Sequence, residues 1–155
     1  MRGYALVGLD NPKNNINVGS AMRAVGVYDA AGLIASGQRF KRAVTDTMKH
    51  YRHIPFMRVR DVFDINPYDC VPVAVDLVED AISLPEYTHP ERAYYIFGAE
   101  DATLGTRILS RCRDRVFIPM SGCMNLAASV NVVLYDRLAK QLKNHESCRP
   151  KENDD

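Results

Sequence analysis

The sequence predicts one α/β domain, built on a mostly parallel sheet with helices on both faces. Short apolar runs of strand length alternate along the chain with segments of helical period, which is the order expected of βαβ units. The chain has 155 residues, of which 46% are hydrophobic. This is enough for one sizeable core and short for two full domains.

The elements are expected in a regular alternation. The last helix is predicted because Val130, Val133, Leu134, Leu138 and Leu142 recur at helical spacing. Strands are expected at residues 4–9, 32–36, 55–59, 71–77, 94–98 and 116–119. Helices are expected at 18–28, 103–112 and 127–142, with a short helical turn at 79–84. Residues 1–145 would form the domain, and the polar residues 146–155 a flexible C-terminal tail.

Charge and cysteine content exclude several function classes. The net charge is +1 with 25% charged residues, so any RNA site must be a local basic patch. The cysteines, with no Cys-x-x-Cys pair, disfavour a zinc ribbon or a disulfide framework and suggest reduced thiols in a cytoplasmic protein. The start has no signal-peptide pattern, and no apolar run nears the roughly 20 residues of a membrane helix. The four cysteines are Cys70, Cys112, Cys123 and Cys148.

The turn after the first strand, residues 10–19, does not match the common nucleotide-binding loops. It contains one glycine, and the chain has no Gly-x-Gly-x-x-Gly or Gly-Lys-Ser/Thr motif. This disfavours a Rossmann dehydrogenase, a P-loop enzyme and a Rossmann-type methyltransferase. The turn is rich in asparagine, and Asn17 either belongs to a functional loop or serves as a helix cap or loop brace.

A second loop, at residues 118–131, runs from a strand end through polar residues into a helix. Loops at the carboxyl ends of parallel strands are where small ligands usually bind in open α/β sheets. The sequence therefore predicts a ligand site near this loop.

Three segments together resemble a known family. They read Asn-Val-Gly-Ser-Ala-Met-Arg at 17–23, Phe-Gly-Ala-Glu at 97–100, and Ile-Pro-Met followed by Asn-Leu-Ala-Ala-Ser-Val-Asn between 118 and 131. Their order and spacing are similar to those of the SpoU or TrmH-type ribose 2'-O-methyltransferases of the SPOUT superfamily. The chain departs from the pattern mildly, with Ala99 where proline is common. Its length is similar to that of the minimal group that includes the tRNA wobble-ribose enzymes.

The resemblance implies a C-terminal trefoil knot, S-adenosylmethionine as methyl donor, a ribose 2'-hydroxyl of RNA as acceptor, a homodimer, and no metal or membrane. The RNA would be tRNA, at wobble position 34. Ribosomal RNA, or a catalytically silent RNA-binding protein of the same fold, are the alternatives.

The resemblance also assigns roles to individual residues. Arg23 would be the main catalytic residue, supported by Asn17, Glu100 and Ser129. It would act either in deprotonating the ribose hydroxyl or as a phosphate clamp, because a guanidinium stays protonated at ordinary pH. The expected cofactor contacts are Leu77, Gly98, Ile118, Met120, Cys123 and Leu126.

A basic segment with an aromatic residue follows the second strand and is the local candidate for RNA binding. A solvated helix face is the alternative, because Asp46 interrupts the positive charges. The residues expected to contact RNA are Arg39, Arg42, Tyr51 and Arg52.

Overall fold

The computed structural model describes residues 2–41 and 49–147. Its strands are β1 (Tyr4–Leu9), β2 (Gly32–Ser36), β3 (Phe56–Val59), β4 (Val71–Val75), β5 (Ile82–Ser83), β6 (Arg92–Phe97) and β7 (Asp114–Phe117). Its α-helices are α1 (Asn15–Val27), α2 (Thr106–Leu109) and α3 (Leu126–Ser147). Single 3₁₀ turns occur at His50–Arg52, Val62–Asp64 and Leu84–Glu86. No helix among these described residues is both long enough and apolar enough to cross a membrane.

The strands form one parallel sheet in the order β3-β2-β1-β6-β4-β7-β5. In the centre of the sheet, Val7 of β1 lies opposite Leu33 of β2 and Tyr95 of β6. Because all strands run the same way, their carboxyl ends meet at one edge, where loops from distant parts of the chain come together.

Both faces of the sheet are covered, as the sequence predicts. On one face, α1 and α3 pack together, and Met22 and Val130 join a core with inward-facing strand residues such as Val7. On the other face, Ile108 of α2 and Phe63 pack against alternate strand residues. This alternation follows from the period of two in a strand. The α/β fold class is confirmed, and the trefoil knot stays a prediction.

The predicted boundaries are best for the central strands. The strands expected at 4–9 and 32–36 are confirmed to the residue, whereas the helical turn expected at 79–84 is wrong. Ile82 and Ser83 form the edge strand β5, and a 3₁₀ turn with Pro85 follows. A two-residue strand is too short to show a period, and proline favours the first turn of a helix. The helix expected at 103–112 is a single turn, and α3 continues beyond 142.

Candidate active site

A cleft of about 700 Å³ opens at the carboxyl edge of the sheet, where β4, β6 and β7 end and α3 begins. The structure brings all six predicted cofactor contacts to this cleft, although they come from three separate segments of the chain. The predicted residues that line it are Leu77, Gly98, Glu100, Ile118, Met120, Cys123, Leu126 and Ser129.

The walls of the cleft include apolar side chains that are left open. Leu77 and Met120 are 77% and 47% exposed, whereas Leu126 and Phe97 are buried behind them. Apolar surface that faces a cavity instead of the core is typical of a small-molecule site.

Gly98 allows two segments to approach closely at the base of the cleft. A Cβ atom at this position would lie 2.9 Å from the carbonyl oxygen of Ala102 and 3.4 Å from the backbone nitrogen of Leu104. Any side chain would therefore displace the loop that follows β6, because the contact is with backbone and not with a flexible side chain.

The charged residues of the described chain that line the cleft are all acidic. Within the part of the chain that the structure describes, the lining residues include three carboxylates and no lysine, arginine or histidine. Asp76, which sequence analysis missed, accepts the N–H groups of Leu77 at 2.8 Å and Leu104 at 2.7 Å, and so joins two of the loops. An acidic residue near the end of the apolar strand expected at 71–77 was the available signal. Asp101 is paired with both terminal nitrogens of Arg39, each at 2.9 Å.

Glu100 is the centre of a hydrogen-bond network that joins three loops. Its carboxylate accepts the backbone N–H groups of Lys13 at 2.9 Å and Asn14 at 3.1 Å, and the side-chain amide of Asn17 at 2.7 Å. The oxygen of the Asn17 amide accepts a bond of 2.8 Å from the Asn125 side chain. The β1–α1 loop, the β6–α2 loop and the loop before α3 are therefore fixed relative to one another.

This network also sets the ionisation of Glu100. Partial burial by itself raises the pKa of the carboxyl group, but the hydrogen bonds from Asn17, Lys13 and Asn14 outweigh it and hold the pKa below its usual value. The carboxylate is consequently charged wherever the protein is folded at neutral pH.

Asn125 is a site residue that sequence analysis did not select. Besides binding Asn17, it accepts the N–H groups of Ala127 at 2.9 Å and Ala128 at 3.3 Å, and so caps α3. An asparagine directly before a predicted helix was the signal. Ser129 lines the cleft, but its hydroxyl donates to the carbonyl of Asn125 at 3.2 Å, within the same helical turn.

The cap of α1 is Asn14 and not Asn17. The side chain of Asn14 accepts the N–H of Ile16 at 2.8 Å, while Asn17 lies inside the helix and is 6% exposed. The alternative of Asn17 as a helix cap is therefore wrong, and its role as a brace between loops is observed directly.

Arg23 does not reach the cleft of its own chain. It lies on α1, six residues after Asn17, which places it about 9 Å further along the helix and about 240° around its axis. Its side chain is exposed and makes no hydrogen bond or ion pair with the residues that the structure describes.

The predicted RNA contacts are placed in different surroundings. Arg39 pairs with Asp101, which lines the cleft, and donates to the carbonyl of Asn11. Tyr51 and Arg52 are exposed in a 3₁₀ turn beside α1 and line none of the cavities described here. Arg42 lies outside the described residues.

A second cavity, the outer cavity, adjoins the cleft and has a volume of about 960 Å³. It lies above the start of α1, and its lining includes Lys13, Asn17, Arg39 and Lys41. The two cavities share Glu100, Cys123, Met124 and Leu126. A molecule in the outer cavity could therefore touch the same four residues as a ligand in the cleft.

Solved structures share this architecture. The SpoU methyltransferase AviRb from Streptomyces viridochromogenes, in complex with the cofactor AdoMet, is 21% identical with a TM-score of 0.81, over 92% of this chain and 59% of that one. The TrmH/SpoU tRNA modifying enzyme of A. aeolicus is 17% identical with a TM-score of 0.80, over 99% and 83%. A structure solved for the 2-OH methylation of C/U34 on tRNA is 20% identical with a TM-score of 0.75, over 92% and 94%.

All three structures are less than 25% identical to this chain, so their likeness establishes the fold alone. The chain spans about three fifths of the length of the Streptomyces protein. No curated protein matches the sequence. The model of the SpoU rRNA Methylase family matches residues 4–135, which include all three motif segments. The chain therefore belongs to the SpoU rRNA methylase family.

Proposed function

We propose that the chain is an S-adenosylmethionine-dependent ribose 2'-O-methyltransferase that acts on tRNA at wobble nucleotide 34. One observation carries this proposal: a cleft suited to a small cationic ligand opens directly onto a larger outer cavity, and the Glu100 network lies where the two meet. Donor and acceptor would thus be held on either side of one fixed set of side chains.

The residues of the cleft fit S-adenosylmethionine, the cofactor present in the Streptomyces structure. Open apolar walls at Leu77 and Met120 suit the adenosine. Carboxylates line the cleft and no cation of the described residues does, which suits a ligand with net positive charge. When bound, the cofactor supplies an electrophilic methyl group on sulfur. The chain itself has to position the reacting ribose and favour loss of its proton.

Arg23 would meet the site through a second copy of the chain. Its place on α1, away from the cleft, supports a homodimer in which each subunit presents this arginine to the partner's outer cavity. The exposed faces of α1 and α3 carry large apolar residues that such an interface would cover: Ile16, Val27, Tyr135 and Leu142. There the guanidinium would hold an RNA phosphate and orient the ribose.

The tRNA assignment is supported by two of the similar structures, the one solved for the 2-OH methylation of C/U34 on tRNA and the tRNA modifying enzyme of A. aeolicus. The description of the matching family, which names rRNA, makes ribosomal RNA the second candidate.

The test is to incubate the protein with labelled S-adenosylmethionine and total RNA, and to map the labelled nucleotide. A ribose methyl group protects the adjacent phosphodiester from alkaline cleavage, so ribose and base methylation are distinguished directly. Arg23→Lys should lose most of the transfer because the planar guanidinium is gone, whereas the matched control Arg2→Lys should not. Label only on base atoms, or transfer by Arg23→Lys at the wild-type rate, would contradict the proposal.

A further inference from the structure

A third cavity, of about 670 Å³, lies where β2 and β3 end. We call it the basic cavity, because Lys41, Arg58 and Arg60 are the charged residues among residues 2–41 and 49–147 that line it, and no carboxylate of these ranges does so. Lys41 belongs to the basic segment that the sequence predicts, whereas Arg58 and Arg60 lie outside it. Arg58 lies in β3, and Arg60 is the first residue of the loop that follows this strand.

Arg58 is fixed by its contacts with Phe40. Its guanidinium lies 4.5 Å from the centroid of the buried Phe40 ring, and Nη2 donates to the Phe40 carbonyl at 3.2 Å. This uses one of five N–H donors, which leaves the others for an anion. A guanidinium that is already fixed loses less conformational entropy when it binds phosphate than a free side chain does.

The carboxylates nearest in sequence are engaged elsewhere. Asp61 pairs with Arg107, and Asp64 accepts the backbone N–H groups of Arg60 and Asp61 at 3.1 and 3.0 Å. Within residues 2–41 and 49–147, no carboxylate forms an ion pair with the three cations of the basic cavity. Their charge is therefore available to attract an anion from solution.

The basic cavity continues into the active site. Lys41 lines both the basic and the outer cavity, and the outer cavity shares Glu100 with the cleft. From β6 to β3 there are three strand spacings, about 14 Å in total. Along this path, the described lining residues change from carboxylates without cations, in the cleft, to cations without carboxylates, in the basic cavity.

We infer that the basic cavity binds the phosphodiester backbone of the RNA strand that carries the target nucleotide, with Lys41, Arg58 and Arg60 as its phosphate contacts. The inference rests on the proposed function, because it assumes that the reacting ribose occupies the outer cavity. The strand would then leave the outer cavity past Lys41 toward β3. Contacts of this kind position the RNA and do not read its sequence.

The test measures binding of unmodified tRNA transcript to the full chain over a series of salt concentrations. In Lys41→Gln/Arg60→Gln, the slope of log affinity against log salt should fall by about 1.4, at about 0.7 for each lost contact with a single strand. Arg58 is left unchanged because it packs on Phe40. The matched control, Arg2→Gln/Arg113→Gln, removes two charges at the amino edge of the sheet and should keep the wild-type slope.

Calorimetry with S-adenosylmethionine separates the possible failures. Cofactor affinity should be unchanged in the Lys41/Arg60 double variant, which shows that its fold is intact. A wild-type slope in that variant, while the wild-type protein still methylates RNA, overturns the inference and leaves the proposed function standing. An equal fall in the control variant also overturns it. A wild-type protein that binds tRNA with the expected dependence on Lys41 and Arg60, but transfers no methyl group, supports the inference and contradicts the proposed function.

Discussion

Replacing Asn17 with aspartate tests whether the network around Glu100 holds the site together. The substitution hardly changes the size of the side chain, but it replaces the amide donor, 2.7 Å from a Glu100 oxygen, with a second carboxylate oxygen. The bond from Asn125 to the other oxygen of residue 17 can remain. The variant therefore changes one contact and its charge, and little else.

The cost can be worked from the geometry. A hydrogen bond to a charged group contributes about 1.5–3 kcal/mol. Two carboxylates about 4 Å apart repel by about 4 kcal/mol at an effective dielectric constant of about 20, and by less here because Glu100 is exposed to solvent. The two carboxylates can also take up a shared proton, which limits the total loss of stability. We expect a loss of about 3–4 kcal/mol in the free energy of unfolding near neutral pH, or about 6–16 °C in Tm.

The sign of the pH dependence makes the prediction specific. The neighbouring carboxylate raises the pKa of the pair in the folded variant above its unfolded value, so the folded state binds the extra proton more tightly. The stability deficit should therefore shrink as the pH falls through that raised pKa. A protonated aspartic acid then donates to Glu100 as the amide did, and at about pH 5 the deficit should be about 1 kcal/mol.

Urea unfolding followed by circular dichroism, at neutral pH and at about pH 5, measures both values. Asn15→Asp is the matched control on the same helical turn. Its side-chain oxygen accepts the N–H of Lys41 at 2.9 Å, which a carboxylate oxygen can do equally well. The reasoning is refuted if Asn17→Asp is as stable as the control near neutral pH, or if its deficit is the same at both pH values.

Three further predictions concern separate features of the structure. Gly98→Val should weaken binding of S-adenosylmethionine about tenfold or more in calorimetry, because the new Cβ atom would meet backbone atoms. Gly122→Ala should leave the affinity unchanged, because no atom of the described residues packs within 4 Å of a Cβ added there. Equal losses of affinity in the two variants would contradict this prediction. Burial lowers the pKa of His89 despite a facing carboxylate, so the free energy of unfolding of the wild type should fall as the pH drops below about 6.5. His89→Gln should reduce the slope of this free energy against pH by up to about 1.4 kcal/mol per pH unit. Equal slopes for the two proteins in urea titrations would argue against the prediction. Burial raises the pKa of the Cys112 thiol to about 11, so iodoacetamide should modify the exposed Cys123 before Cys112. Bound S-adenosylmethionine should slow the modification of Cys123, as measured by peptide mass spectrometry. Faster modification of Cys112 than of Cys123 would refute the assignment.

The sequence predicts an element accurately where local interactions define it, and less accurately where long-range pairing does. The strands at 4–9 and 32–36 are predicted to the residue because each is a continuous apolar run bounded by turn residues, which is local information. The edge strand at Ile82 is missed because pairing with β7, more than 30 residues away, defines it. The extension of α3 past residue 142 is missed because its last turns have lost the apolar spacing.

The candidate site shows the same division. The motif segments predict the residues that line the cleft through their resemblance to the family, which assigns those positions to the cofactor site. They do not predict that Arg39 pairs with Asp101, 62 positions away, or that Arg58 and Arg60 line a separate cavity. Those facts depend on strand order, and the sequence pattern does not determine that β3 lies at the edge beside β2.

The distribution of charge links the fold to the proposed chemistry. A parallel sheet collects loops at one edge, and here the loops after β4 and β6 bring carboxylates while β3 and its exit bring arginines. A cationic methyl donor and a polyanionic acceptor would be attracted to opposite ends of the same edge, which reduces competition between them for one surface. The boundary falls at Glu100, whose bonds reach Asn17, 83 positions away, and through it Asn125. If this separation guides the two substrates, high salt should weaken RNA binding steeply and cofactor binding only slightly, since the latter depends on apolar walls as well as charge.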